Sequence, residues 1–252
     1  GGMRAGDNGL KEDAAREGAM QEGTMKAGDG KEFIYDTLPA GSDLIQSAST
    51  IARQSIAQGK DQERQWARVY RPVQLPPVGL PSESFHAPHT SWNLIEQLVR
   101  TLVEGEGPIS RTLLIRKVLQ AWGIARTGPR IDAYMTALLE SMKLSKTVWD
   151  GQEFYWPNSV VPAQYDIYRF PEDDKDRRHA EDLPPEEIAN AIREVLFMQG
   201  SLPQEDLIRE TVKLLGYART GSALEKAIGL GIRHALDQGI AEHWNGRLRL
   251  VK

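Results

Sequence analysis

Apolar residues recur at helical spacing in two separate stretches of the chain. Over residues 92–105 they fall three and four positions apart, as on one face of an amphipathic helix, at Ile95, Leu98, Val99 and Leu102. Residues 185–199 show the same spacing. In each stretch a short turn, a second helical pattern and a third one follow. The pattern therefore predicts two groups of three helices.

The two groups are copies of one unit. Arg126 and Arg219 are 93 residues apart, and this offset, held without gaps over residues 95–128, aligns 11 identical residues in 34. Ordinary composition would give about two. The longest identical run is Ala-Arg-Thr-Gly, at residues 125–128 and 218–221. Farther on, Trp149-Asp150-Gly151 matches Trp244-Asn245-Gly246 at an offset of 95.

Each copy ends in a β-hairpin signal. Asp-Gly and Asn-Gly favour two-residue turns in which both positions have positive φ. Three helices closed by a hairpin make the winged-helix variant of helix-turn-helix, whose third helix enters the DNA major groove in known readers. We therefore predict a mainly α fold with small β-hairpins, built as tandem winged-helix repeats. Ser110 is the predicted N-cap of the second helix, Gly123 its C-terminal stop, and Thr127 and Thr220 the N-caps of the third helices.

Composition and the positions of proline and glycine divide the chain into five segments. Residues 1–42 are rich in small and charged groups and are expected to be irregular or disordered. Residues 43–90 are expected to hold a helix over 43–70 and a Pro-rich extended linker. The first winged-helix unit is assigned to 91–156 and the second to 184–252. The connector 157–183 contains a mixed charge run at 172–178, interpreted as solvated.

Bulk properties exclude several classes of function. The 252 residues contain no cysteine, so neither disulfides nor thiolate metal sites are expected. No apolar run reaches the ~20 residues of a membrane helix, and the N-terminus has no signal-peptide pattern, so we expect a cytoplasmic protein without membrane contact. No phosphate-cradling G-x-x-x-x-G-K-[ST] loop or catalytic grouping is present. His86 and His89, separated by Ala-Pro, are interpreted as a loop. We expect no enzyme activity, metal or cofactor.

Basic and hydroxyl residues on the third helices and hairpins are the candidates for contact with nucleic acid. An arginine at the head of a helix can grip a phosphate together with backbone N–H groups; the alternative interpretation is structural, with threonine as cap and arginine paired to a carboxylate. The first unit has 8 basic and 7 acidic residues, and the second has 9 of each. Because neither unit has an excess of positive charge, autonomous DNA binding is expected to be weak. Trp149, Trp156 and Trp244 either stack on bases or seal the hairpins onto their helices. The candidate residues are Arg126, Thr127, Arg130, Lys146, Arg219, Thr220, Lys226, Arg233, Arg247 and Arg249.

The segments RTGPRI and PPEEIANAIREVLFMQGSLPQEDLIRETVKLLGYARTGSALEKAI resemble a C-terminal domain of unknown function in large bacterial proteins. Those proteins combine a superfamily I helicase with a restriction-type nuclease. The resemblance covers about residues 92–252, including the connector near Tyr165–Arg169. It implies a non-catalytic accessory module that engages DNA weakly beside helicase and nuclease domains of a parent or partner protein. The alternative is a module for protein interaction or self-association without direct DNA contact.

Overall fold

Residues 64–251 are the part of the chain that the computed structural model describes, and about half of them are helical. The first element is a strand, β1 (Ala67–Tyr70), followed by a 3-10 turn at Ser82–His86. The helix predicted for residues 43–70 is therefore wrong at its C-terminal end, where the backbone pairs as a strand instead. The rest of that helix and the segment 1–42 lie outside the described residues.

The first repeat consists of three helices and a three-stranded sheet. It comprises α1 (Pro88–Glu106), β2 (Ile109–Ser110), α2 (Arg111–Ala121), α3 (Pro129–Met142), β3 (Lys146–Trp149) and β4 (Gln152–Tyr155). Helix α1 begins earlier than predicted because proline is tolerated in a first helical turn. The Ser110 hydroxyl accepts a hydrogen bond from the Leu113 amide at 3.0 Å, which confirms the predicted cap. Gly123 follows α2 with a φ of 74°, which confirms the predicted stop.

The connector is more structured than an exposed linker. It contains the strand β5 (Tyr168–Pro171), which pairs in parallel with β1 from Ala67↔Tyr168 to Tyr70↔Pro171. Tyr168 is fully buried. This two-stranded sheet fastens the segment before the first repeat to the segment before the second.

The second repeat has the same order of elements. It comprises α4 (Pro185–Gln199), α5 (Gln204–Leu214), α6 (Ser222–Asp237), β6 (Ala241–Trp244) and β7 (Arg247–Leu250). Leu202, the counterpart of Ile109, forms a single antiparallel bridge to Leu248 where Ile109 pairs with Tyr155 in the first repeat. The fold of the described residues is thus helical with small β-sheets, as predicted.

Both predicted hairpin turns are present. Asp150 and Gly151 have φ angles of 48° and 80°, and Asn245 and Gly246 have 49° and 74°. Two consecutive positive φ values define the turn whose twist suits antiparallel strands. The two-residue loops fix the register, with Trp149 opposite Gln152 and Trp244 opposite Arg247.

Each repeat has its own apolar core. Ile95, Val99 and Leu138 are fully buried in the first, and Ile188 and Ile228 in the second. None of the helices in residues 64–251 is both long enough and apolar enough to cross a bilayer. The helical spacing read from the sequence therefore identifies the inward faces of both repeats.

Helices α4 and α6 approach closely at Gly231. A Cβ added there would lie 2.1 Å from the Ile188 Cγ2 atom, whereas one added at Gly229 would meet nothing within 4 Å. We expect Gly231→Ala to lower the free energy of unfolding by roughly 1–3 kcal/mol through overpacking.

Gly229→Ala is the matched control in the same helix, and we expect it to raise stability by up to about 1 kcal/mol through helix propensity. Urea unfolding of both variants measures the difference. Equal stability of the two variants would contradict the close approach of α6 to α4.

Candidate nucleic-acid interface

The Arg-Thr-Gly segments lie on the surface, between the second and third helices of each repeat. Arg126 and Thr127 precede α3, Arg219 and Thr220 precede α6, and all four residues are exposed. Within residues 64–251 neither arginine forms an ion pair with a carboxylate. Both guanidinium groups therefore face solvent.

The predicted threonine caps are wrong by one residue. The N-cap positions are Gly128 and Gly221, which have extended backbones and make no side-chain hydrogen bond to their helices. Their carbonyls accept the first helical bonds, from the Asp132 amide and the Glu225 amide, each at 2.9 Å. The threonine hydroxyls are left outside the helices, at the surface.

The first hairpin packs against the third helix of the second repeat. The Trp149 ring meets the His234 ring edge to face, with centroids 5.1 Å apart. The Trp149 indole N–H donates to Glu186 Oε1 at 3.0 Å, and Arg233 lies 3.6 Å from the Asp150 carboxylate. The first hairpin is thus an internal contact between repeats, and Trp149 seals it onto the neighbouring repeat instead of its own.

This contact covers part of the predicted recognition face of α6. Besides Arg233, Lys226 lies at the junction, in the lining of a cavity of about 130 Å³ that also includes Phe154 and Leu183. Burial lowers the pKa of His234 below its usual value, although Glu186 and Asp237 act in the opposite direction. The His234 ring is therefore neutral at pH 7 and packs as an aromatic group.

The second hairpin has an exposed end. Trp244 is 41% exposed, and the Arg249 guanidinium lies over its ring, 5.0 Å from the centroid. Arg249 also pairs with Glu242 at 2.8 Å, and Arg247 donates to the Ser201 carbonyl at 2.8 Å. Arginine over an indole presents a flat, cationic surface to solvent.

The remaining residues considered for contact with nucleic acid differ in whether their side chains are available to a ligand. Lys146 pairs with Glu153 across the first hairpin, which offsets its charge. Arg130 is exposed in the first turn of α3. Trp156 is fully buried, and its indole donates to the Thr147 hydroxyl at 3.0 Å, so it serves the core.

A buried ionic network joins the two repeats, and sequence reasoning missed it. The Glu187 carboxylate at the start of α4 is fully buried and accepts from both Arg169 and Arg178. Arg169 also donates to the carbonyls of Glu106 and Pro108 at the end of α1, at 2.6 and 2.7 Å. The interpretation of residues 172–178 as solvated is therefore wrong for Arg178, whose side chain is 4% exposed. The one sign of this network in the sequence is the acidic pair at residues 186–187, in the first turn of α4.

A second cluster extends this network into the first repeat. Glu106 accepts from the Tyr70 hydroxyl, from Lys117 at 2.6 Å and from the Val73 amide at 2.9 Å. The Tyr70 ring in turn lies against Arg178, with 4.5 Å between guanidinium and centroid. Burial, and after it the neighbouring Glu106 carboxylate, raises the pKa of Tyr70 well above its ordinary value, so the hydroxyl stays protonated.

The network holds Glu187 ionised. Burial alone would raise the pKa of this carboxyl, but the guanidinium groups of Arg169 and Arg178 outweigh that effect and hold the pKa below its usual value. A carboxyl with a depressed folded-state pKa stabilises the fold above its unfolded-state pKa and loses that contribution as the pH falls through the folded-state value.

No group of three or more metal-ligating side chains occurs in the part of the chain that the structure describes. His86 lies in the 3-10 turn, where its ring packs on Phe85 and Tyr134 with centroids 5.6 and 6.1 Å away. This environment suits an aromatic packing role.

Comparison with known proteins gives one match. Residues 83–133 match the profile of a family described as "Protein of unknown function (DUF3320)". The matched stretch runs from the 3-10 turn through α1 and α2 into α3, and includes the first Arg-Thr-Gly segment. No curated protein and no solved structure matches the chain.

Removing the buried charge of Glu187 tests the network. We expect Glu187→Gln to lower the free energy of unfolding at pH 7 by roughly 3–5 kcal/mol, because two guanidinium groups lose their counter-charge. The difference from wild type should shrink as the pH is lowered below 4.5, the ordinary pKa of the group.

Glu96→Gln is the matched control, since Glu96 pairs with Arg100 on the exposed face of α1. We expect that variant to change stability by less than about 0.5 kcal/mol. Denaturant titrations between pH 3 and 8 measure both effects. A pH-independent difference for Glu187→Gln would argue against an ionised carboxylate.

Proposed function

We propose that this chain is a non-catalytic, DNA-associated accessory module made of two winged-helix repeats. It would engage or position nucleic acid for a helicase–nuclease system to which it is attached or bound. The resemblance of residues 92–252 to the C-terminal domain of such proteins suggests the setting.

The order of elements supports the winged-helix part of this proposal. Each repeat runs helix, extended stub, helix, helix, hairpin, and the stub contacts the second hairpin strand in both. In winged-helix proteins this order presents the third helix and the hairpin for contact with DNA. The duplicated spacing in the sequence and the duplicated order of elements agree.

The observation that carries the proposal is the complementary exposure of the two repeats. In the first repeat the hairpin is occupied by α6, while the head of α3 with Arg126 and Arg130 is open. In the second repeat the hairpin is open, with Trp244 and Arg249 at its surface, while α6 is partly covered. Each repeat thus leaves open one of the two surfaces that a winged helix uses, the third helix in the first repeat and the hairpin in the second. Arg219, just before α6, is also exposed.

The charge balance sets the expected affinity. Several cations on these surfaces pair with carboxylates, as Arg249 does with Glu242, and each pair must be rearranged when a phosphate binds. Because phosphate neutralisation supplies most of the affinity for DNA, we expect weak, salt-sensitive binding that strengthens beside a larger DNA-binding partner.

A protein-interaction module is the second candidate, and one observation favours it. Phe197 and Met198 are 59% and 49% exposed at consecutive positions near the end of α4. Adjacent exposed apolar side chains of this size are typical of interaction sites.

Fluorescence anisotropy with labelled duplex and single-stranded DNA at low and moderate salt tests the DNA proposal. We expect Arg126→Gln, Arg219→Gln and Arg249→Gln each to weaken binding and to reduce the slope of log affinity against log salt by about one per lost phosphate contact.

Arg100→Gln is the matched control, because it removes one exposed arginine from α1, which the proposal leaves out of the interface. It should keep the wild-type affinity and slope. Absence of binding at low salt, or an equal loss in the control, would reject the DNA proposal. Light scattering of wild type and Phe197→Ser would then test self-association.

A further inference from the structure

A cavity of about 460 Å³ lies where the first repeat meets the connector. Its lining includes residues of the segment after β1, of α2 and of the segment 175–179. Its volume falls within the ~300–1,000 Å³ of small-molecule sites. None of the candidate residues for nucleic-acid contact belongs to it, so it is a separate feature.

The charged residues of the lining are mostly basic, and each cation pairs with a carboxylate that lies outside the lining. One acidic residue, Asp176, faces five basic residues and a histidine. Asp182 pairs with Arg116 at 2.8 Å and Glu106 with Lys117 at 2.6 Å. Lys175 pairs with Asp173 at 3.2 Å and Arg177 with Asp174, so a bound anion would compete with these exposed aspartates. The five basic residues are Arg116, Lys117, Lys175, Arg177 and Arg178, and the histidine is His179.

Two guanidinium nitrogens of the lining residues donate no hydrogen bond within residues 64–251. Arg178 Nη1 and Arg177 Nε are buried and have no hydrogen-bond partner in the described part of the chain. The Arg178 side chain is 4% exposed, so its orientation is fixed by Glu187 and by the Arg169 carbonyl, to which it donates at 3.1 Å. Buried donors without partners are uncommon in folded proteins. Guanidinium groups suit an anion with several oxygens, such as a phosphate. Because the two unpaired nitrogens are themselves covered by protein atoms, the accessible cations of the segment 175–179 are the outer ends of Lys175, 75% exposed, and Arg177, 29% exposed.

The rest of the lining consists of two glutamines and a set of apolar side chains, of which Tyr70, Leu113 and Ala121 are buried and the others are accessible. The Tyr70 ring is held by its hydroxyl bond to Glu106 and by Arg178, and prolines and aliphatic side chains continue its surface. A wall of this kind suits a flat organic group, with the glutamines Gln74 and Gln120 beside it for polar contacts. The apolar residues of the lining are Tyr70, Pro72, Val73, Leu75, Pro77, Leu113 and Ala121.

We propose that this cavity binds a small organic phosphate with an aromatic or apolar portion, the chemistry of a free nucleotide. The phosphate would lie against Lys175 and Arg177, and the organic group against the accessible apolar side chains beside Tyr70, namely Pro72, Leu75 and Pro77. Side chains hold the anion here, in place of the glycine-rich backbone loop that the sequence lacks. Because the lining joins α2 to the connector, an occupied site would stabilise this junction.

Isothermal titration calorimetry of the full chain at low salt tests the site with three probes: ADP, inorganic pyrophosphate and adenosine. We expect ADP to bind most tightly, pyrophosphate more weakly and adenosine weakest. Lys175→Gln and Arg177→Gln each remove one cation from the lining, and each should weaken ADP binding roughly tenfold, the loss expected for one charge-assisted hydrogen bond.

Arg209→Gln is the matched control for Arg177→Gln. Each arginine pairs with an aspartate three residues earlier, Asp206 or Asp174, and Arg209 lies on α5 away from the cavity. The control should bind ADP as wild type does. Failure of wild type to bind ADP, or equal affinity of Arg177→Gln and the control, would overturn the proposal. Pyrophosphate binding as tightly as ADP would refute the role of the apolar wall.

Discussion

The arrangement of the two repeats depends on one buried carboxylate held between two guanidinium groups. Glu187 belongs to the second repeat, Arg169 and Arg178 belong to the connector, and Arg169 reaches the carbonyls at the end of α1. Burying three charges costs several kcal/mol per ion unless every partner is placed correctly. Because the placement requires β1, β5, α1 and α4 together, the network favours a single relative position of the repeats. Arg178 also belongs to the lining of the cavity of about 460 Å³, so the ionic network and the proposed ligand site share this residue.

The parts of the fold that the sequence predicts well are determined locally. The two hairpin turns require only Asp-Gly and Asn-Gly, the Ser110 cap requires a hydroxyl three residues before a free amide, and the helix faces follow from apolar spacing. The prediction of threonine N-caps for the third helices is wrong because glycine occupies the N-cap position in both repeats. In the first repeat a proline follows that glycine. At that point two local signals, Thr and Gly-Pro, compete, and the sequence does not show which prevails.

The parts that sequence reasoning could not supply are determined by contacts distant in the chain. Residues 67–70 show only a short alternation, and their strand exists because a partner about 100 residues away pairs with them. Arg178 stands in a charge run that is typical of solvated linkers, yet its environment is set by Glu187 and Tyr70. Likewise, only the position of the first hairpin shows that Arg233 and Lys226, although exposed, lie beside an internal contact between the repeats.

The contact between the first hairpin and α6 is head-to-tail, because the hairpin of one repeat packs on a different surface, the third helix, of the other repeat. Head-to-tail contacts can repeat from one subunit to the next, and they form an open series unless the rotation between subunits closes a ring. Along the 93-residue offset, Glu140 and Ser141 in the first repeat stand where the second has Arg233 and His234. The turn at Trp244 and Asn245 would thus meet neither a cation nor an aromatic ring on α3 of another copy. Because of this divergence, the residues that join the two repeats within one chain cannot make the same contact between the second hairpin and α3 of another copy.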